Sequence, residues 1–420
     1  MKKKFFSIVS LILLLSLGLS ACIGLLPLEE EPVTGDYGPQ YSPQEHQTRT
    51  FDALWADLQE NYIYFDSADV NWEALHGNYQ KRIDSGLTNE EFTSMLKDLG
   101  SDLPAGAFTY QSRPERIEGD IADNSTYEGI GAFVGFNPEP KPHIILLSII
   151  EGSPAEKAGL KAHDSIFAID GSPVLLEEGL SAVNRVRGPS GSTVTLTVQS
   201  PGKAERAVDV QRGKLTSTGK LKSMQIPGTN LGYILLPPIA YDALGQDVLQ
   251  ALQTLTTNQK LDGLILDLRI AGSSRGWPLE GLLTVFYDGA IGEFYNRSDK
   301  QAIQVKGEDA FGSQTIPLVI LVGPNTQGSP EILAASLQMH KRATVIGAIT
   351  PGAVESTSAY YLPDGARIFV ETASFKLPNG NEIGNTGVNP DVQIEAGWDE
   401  ITPSDDPVID SAVEALEAQQ

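Results

Sequence analysis

The stretch Leu318–Thr357, LVILVGPNTQGSPEILAASLQMHKRATVIGAITPGAVEST, constrains the fold more than any other. It opens with five apolar residues, Leu318 to Val322, the pattern of a buried strand. Gly323-Pro324-Asn325 then marks a turn. Ser329-Pro330-Glu331 predicts a helix start, with Ser329 as N-cap, Pro330 in the first helical position and an acid in the first turn. A second apolar strand, Ala343 to Ile346, leads into a loop from Gly347 to Thr357. Strand, turn and helix start together form a place where a nucleophile gains from the positive helix end. Two readings of Ser329 follow: a helix cap, or a nucleophile.

At 420 residues the chain has room for two or three domains. It carries 54 acidic against 30 basic residues, a formal charge of −24. Such a balance excludes nucleic acid as a partner, which requires clustered Lys and Arg. It equally disfavours an anionic membrane surface for the folded part.

The N-terminus has a different composition. Lys2-Lys3-Lys4 forms a basic n-region, and Phe5 to Leu19 an apolar run too short to span a membrane comfortably. Leu19-Ser20-Ala21-Cys22 matches the bacterial lipobox, in which cleavage leaves the cysteine to be acylated. Cys22 is the only cysteine of the chain, so an internal disulfide and a thiolate zinc site are excluded. Each buried acyl methylene contributes about 0.8 kcal/mol, so several chains on one residue anchor firmly. The expectation is an extracytoplasmic, membrane-anchored lipoprotein, at the cell surface or in the periplasm.

Residues 23–45 are rich in Pro, Gly and Glu and read as a flexible linker. Helical spacing then runs through Phe51, Leu54, Trp55, Leu58 and Tyr62, again through Trp72, Leu75 and Tyr79, and over Glu90–Leu99 after Thr88 as N-cap. Between Tyr127 and Gly213 come a small-residue loop, Gly129-Ile130-Gly131-Ala132, and three strands: Phe133–Phe136, Ile144–Ile150 and Val194–Val198. Beyond Leu215, strands at Leu231–Leu236 and Leu264–Arg269 alternate with a helix over Tyr241–Leu255, the signature of an α/β layer. The five histidines, 46, 76, 143, 163 and 340, lack ligand-like spacing, so no metal or other cofactor is expected.

These motifs resemble those of the C-terminal processing (tail-specific) serine peptidases. The likeness rests on the Leu318–Thr357 framework, on Glu151-Gly152-Ser153-Pro154-Ala155 with Ala158-Gly159-Leu160 and Ile169-Asp170-Gly171, on Asn61-Tyr62 to Phe65, and on Gly387-Val388-Asn389-Pro390-Asp391. It implies a multidomain α/β protein: an N-terminal helical region, a β-rich PDZ domain and a tail-specific-protease-like domain of crotonase or Clp-protease type. The matching ranges are 1–22 lipoprotein signal, 23–45 linker, 46–125 helical region, 126–213 PDZ domain, 214–397 protease-like domain and 398–420 C-terminal helix. One departure is His163, where a glycine is usual.

The resemblance also implies partners: protein C-termini and unfolded extracytoplasmic chains. A peptide would add as a strand, its carboxylate held by N–H groups of Gly129, Ile130, Gly131 and Ala132. Small residues let such amides point at an anion. The chemistry matches less well. The family's serine–lysine dyad falls on Gly328, three residues before Glu331, and on Ala353; its supporting glutamine falls on Thr357. A related branch draws on a histidine, here Phe108, and an acid, here Gly384. Ser329 is displaced by one residue, which swings a helical side chain by about 100°. The usual Asn-rich turn with paired glycines is replaced by Ile270-Ala271-Gly272-Ser273-Ser274-Arg275-Gly276, with Gly272 or Gly276 left as oxyanion donors and Ser273 and Ser274 as turn residues. Glu355, Lys341 and Lys376 are the remaining candidate bases. The expectation is a peptide-binding homologue with little or no proteolysis; the alternative is an active endopeptidase with a divergent site at Ser329.

Overall fold

The computed structural model describes residues 41–104, 106–124, 128–214, 220–274, 276–384 and 386–419. Cys22 and its lipobox lie outside the described residues. Helices α1 (Pro43–Asn61), α2 (Trp72–Asp84) and α3 (Asn89–Asp102) come first, α1 starting inside the range read as linker. Ser42 with Glu45 and Thr88 with Glu91 each form a reciprocal capping box, which satisfies donors a bare helix start leaves open. The helices bury Phe51, Leu54, Leu58, Met95 and Leu96 in one cluster with strand β1 (Phe108–Gln111).

The PDZ unit is an antiparallel sheet in the order β2 (Ala132–Asn137), β3 (His143–Ile149), β4 (Ser165–Ile169), β5 (Thr193–Gln199), β6 (Arg206–Gln211). Alternate residues of β5, Val194, Leu196 and Val198, are fully buried, as a half-solvated sheet requires. Strand β2 lies at the edge, so one row of its backbone groups is unpaired within the sheet. A 3-10 segment, Leu176–Arg185, packs across this unit.

The sheet of the third unit runs β7 (Lys222–Gln225), β8 (Leu231–Leu235), β9 (Gly263–Asp267), β12 (Leu318–Val322), β13 (Thr344–Gly347), β16 (Val392–Gln393), parallel from β8 onward. Its inner strands β8, β9 and β12 are largely apolar and buried because both faces are covered, whereas the border strands β7 and β16 are exposed. Leu264, Leu266, Ile320 and Val345 face the core containing α4 (Leu244–Thr256), α5 (Leu279–Phe286) and α6 (Ser329–Met339). Ile265, Val319, Leu321 and Ile346 face α7 (Pro407–Glu417). A second sheet joins β1, β15 (Arg367–Lys376), β10 (Gly289–Tyr295) and β11 (Lys300–Val305), with β14 (Ser356–Tyr361) also on β15. Among the described residues no helix is long and apolar enough to cross a membrane.

Candidate functional site

A cleft of about 1020 Å³ separates the edge strand β2 from the carboxyl ends of β9, β12 and β13. Six consecutive residues, Phe133 to Pro138, line one wall, so it runs alongside the unpaired edge of β2. Gly272, Asn325 and Gln327 bring the opposite wall to the start of α6. The walls meet at Gly135, where an added Cβ would lie 2.9 Å from Asn325 Oδ1.

At the PDZ end, Gly131 holds a left-handed φ of 81°. Carbonyls in its loop are used: Ile130 accepts from Ala155 N–H at 2.7 Å and Gly131 from Ile150 N–H at 3.0 Å. Among the described residues, the Ile130 and Gly131 N–H groups have no acceptor, although both residues are buried. Adjacent unpaired amides are an anion cradle. Below them, between Ile130, Val134, Ile166 and Val183, is a cavity of about 10 Å³.

At the other end, the structure corrects the helix start. Gly328, not Ser329, is the N-cap of α6, with φ 71° and ψ −124°, and Ser329 is its first residue. The physical reason is the sharp strand-to-helix turn, whose positive φ glycine adopts freely and serine does not. The Gly328 carbonyl accepts from Glu331 N–H at 2.9 Å, and its N–H donates to Glu331 Oε2 at 2.8 Å. The Ser329 hydroxyl caps nothing and lies 3.2 Å from Ser273 Oγ.

Where the resemblance expects the nucleophile, there is no room for one. A Cβ on Gly328 would lie 2.3 Å from Ser273 Cβ and 3.0 Å from its Oγ. Ser273, read from sequence as a turn residue, therefore fills the volume that a side chain at 328 would need. The same turn uses its other groups: Gly272 N–H donates to the Pro238 carbonyl at 3.1 Å, and Ser274 Oγ accepts from Ala240 N–H at 2.9 Å. Gly272 is thus not free to serve as an oxyanion donor, and Gly276 is exposed.

Glu331, in the sequence an acid of the first helical turn and the marker from which position 328 is counted, organises the site. Its carboxylate is fully buried and accepts from Gly328 N–H, Ala353 N–H at 2.9 Å, Gly352 N–H at 2.6 Å and Thr350 Oγ1 at 2.5 Å. Burial pushes its pKa up, and the four hydrogen bonds pull against that. Ala353, the expected lysine position, is exposed, carries only a methyl group and donates its N–H to Glu331.

The candidate bases are engaged elsewhere. Glu355 Oε1 accepts from Tyr64 OH at 2.8 Å and Ser374 Oγ at 3.3 Å, and Lys376 pairs with Glu382 at 2.9 Å. Lys341 is exposed beyond the far end of α6, and Phe108 is a core residue. No lysine, histidine or carboxylate among the described residues hydrogen-bonds the Ser329 hydroxyl.

Two histidines fasten the PDZ unit to the segment after β16. His143 is fully buried, with Nε2 2.8 Å from Asp399 Oδ2. Burial opposes its charged form, but hydrogen bonds to Asp399 and the Lys141 carbonyl outweigh this and raise the pKa. His163 stacks on Trp398 at 4.4 Å and, at φ 74°, holds the backbone conformation that explains why glycine is usual there. Beneath Trp398, Arg269 bridges Asp267 at 2.7 Å and Asp406 at 2.8 Å, a buried triad tying β9 to α7.

Comparison with known proteins accords with this architecture. Residues 230–394 match the model of peptidase family S41, residues 145–200 that of the PDZ domain, and residues 43–100 that of the Tricorn protease C1 domain. The carboxyl-terminal-processing protease of Synechocystis sp. is 32% identical over 376 residues, covering 86% of this chain and 85% of that protein. Carboxy-terminal processing protease CtpB of Bacillus subtilis is 26% identical over 344 residues, 79% of this chain and 68% of that one. Among solved structures, a photosystem II D1 C-terminal processing protease superposes with a TM-score of 0.62 at 23% identity, covering 87% of this chain and 96% of that one. With that identity sustained over most of both chains, the protein belongs to the carboxyl-terminal-processing proteases of peptidase family S41.

Proposed function

We propose that this chain is a peptide-binding member of the family that has lost its dyad and cleaves little or nothing. It takes protein C-termini or unfolded extracytoplasmic chains through the PDZ unit. The observation that carries this reading is the exclusion of a side chain from position 328 by Ser273, together with the methyl group at Ala353. Loss of a general base alone removes roughly 10²–10⁴ in rate. Recognition is supported by the paired open amides at Ile130 and Gly131, the unpaired edge of β2 and the cleft beside it. The small cavity under the loop suits a short terminal side chain such as alanine.

Cleavage by Ser329 is the second reading. It draws on the half-buried hydroxyl beside Ser273, two hydroxyls at the place where the family's chemistry is expected. We further place the protein outside the cytoplasm, anchored through acylated Cys22, a reading that rests on the lipobox alone.

The test is a cleavage assay with an unfolded reporter ending in alanine, run on the wild type and on Ser329→Ala. Binding without cleavage in both supports the proposal. Cleavage that disappears in the variant establishes the second reading instead. Mass spectrometry of the membrane fraction tests the anchor: a diacylglyceryl adduct on Cys22 supports it, and an intact Met1 terminus refutes it.

A further inference from the structure

We infer that the cleft is selective for charge: it takes extended apolar segments carrying lysine or arginine and turns away acidic ones. This rests on the peptide-binding reading above and adds the class of ligand to it. The cleft's rim is apolar and open to solvent. Leu180, Ile239 and Ile349 are 51%, 44% and 46% exposed, although each is large and aliphatic. Exposed apolar side chains around a concavity mark a surface built to be covered. The edge of β2 supplies backbone partners for an extended occupant.

The charges decide which occupant fits. Among the described residues four ionisable side chains line the cleft: Arg269, Glu395, Asp399 and Glu400. Arg269 is paired with Asp267 and Asp406, and Asp399 is hydrogen-bonded to His143, so these groups are engaged within the protein. That leaves Glu395 and Glu400, both exposed. Glu395 accepts from the Gln393 side-chain amide at 3.1 Å and Glu400 from Gly397 N–H at 2.9 Å, and neither forms an ion pair among the described residues. Among the described residues no lysine lines the cleft. Glu139, next to the cleft residue Pro138 at the far end of β2, is exposed and adds to the same sign. A cleft with apolar walls and one sign of charge focuses its field on whatever enters. The whole chain, at −24, reinforces that sign.

The experiment titrates the full-length chain, in detergent, with two fluorescent peptides by anisotropy. Both share an apolar core and a terminal alanine; one carries a pair of lysines upstream, the other a pair of glutamates. The lysine peptide is expected to bind about tenfold tighter at low salt, with the ratio falling towards one as salt rises. Glu395→Gln with Glu400→Gln, at exposed positions whose replacement leaves the core untouched, is expected to bring the two peptides within about twofold. Equal affinity in the wild type overturns charge selectivity and leaves peptide binding intact. A preference that persists in the double variant overturns the assignment to these carboxylates. Failure of both peptides to bind removes the reading beneath the inference.

Discussion

Two glycine turns with positive φ, at Gly131 and Gly328, lie next in sequence to opposite walls of the cleft, near Phe133 and Gln327, and differ in what their amides do. At Gly131 the amides are open, the carbonyls are tied back, and the loop remains shaped for an anion. At Gly328 the amide is bound to Glu331 and the space above it is filled by Ser273. The comparison teaches that a turn survives for two separable reasons. The Gly328 turn is held by Glu331, whose carboxylate ties it to residues 350–353, so its shape stands without any catalytic side chain. The Gly131 loop is held through its carbonyls and leaves its amides open, the arrangement that the proposed peptide binding needs.

The strongest way to break the comparison is to remove the carboxylate that closes the second turn. Glu331→Ala strands three amides and a threonine hydroxyl in the interior, and is expected to cost about 3–5 kcal/mol in urea unfolding. A cost below about 1 kcal/mol would show that the turn does not depend on Glu331.

A carboxylate lacking such donors provides the contrast. Glu371 is buried beside Glu355, and its Oε2 has no partner among the described residues. Burial first, then the Glu355 charge, push its pKa from 4.5 up to about 7. The folded state therefore holds a proton between these values that the unfolded state has released, so stability falls as pH rises through that window. Glu371→Gln is expected to match wild type near pH 5 and to be more stable by about 2 kcal/mol near pH 8. A pH-independent difference in chemical denaturation would contradict this.

Filling the elbow is the next test. Gly328→Ser combines an unfavourable φ with overlap on Ser273, an expected loss of about 2–3 kcal/mol. Adding Ser273→Gly is expected to recover about half of it, which thermal unfolding of the single and double variants measures. Without a base, neither variant is expected to cleave the reporter. The smallest effect tests the open turn: amidating the terminal carboxylate of the lysine peptide is expected to weaken binding about tenfold, since a charge-assisted bond to the amides is lost.

How much of this was legible beforehand follows from range. Thr88 with Glu91 three residues on, the five apolar residues of β12 and the alternation of β5 are local signals, and each element formed where its pattern lay. Family membership was equally legible, because its motifs are short and ordered along the chain. The cap of α6 was misread because serine's strong N-cap preference masked a backbone φ that only glycine satisfies comfortably. The filling of the elbow could not be read at all: Ser273 and Ser329 are 56 residues apart, and His143 and Asp399 are 256 apart. The pairing of β14 and β15 was missed too, since β14 mixes small and aromatic residues with half-exposed sites and carries no clear period.

Strand β1 has a consequence for anyone who would trim this protein. It follows the helical region in sequence but belongs to the sheet of the protease-like unit, with Phe108 opposite Val370 and Gln111 opposite Arg367. Cutting away the helical region would remove a neighbour from β15 and uncover Ile368 and Val370, both fully buried. The remnant would carry a raw, apolar sheet border able to recruit any extended chain it met, including another copy of itself. The boundary visible in the sequence is therefore not a safe place to cut: the helices act as a permanent cover strip for a sheet they do not otherwise belong to.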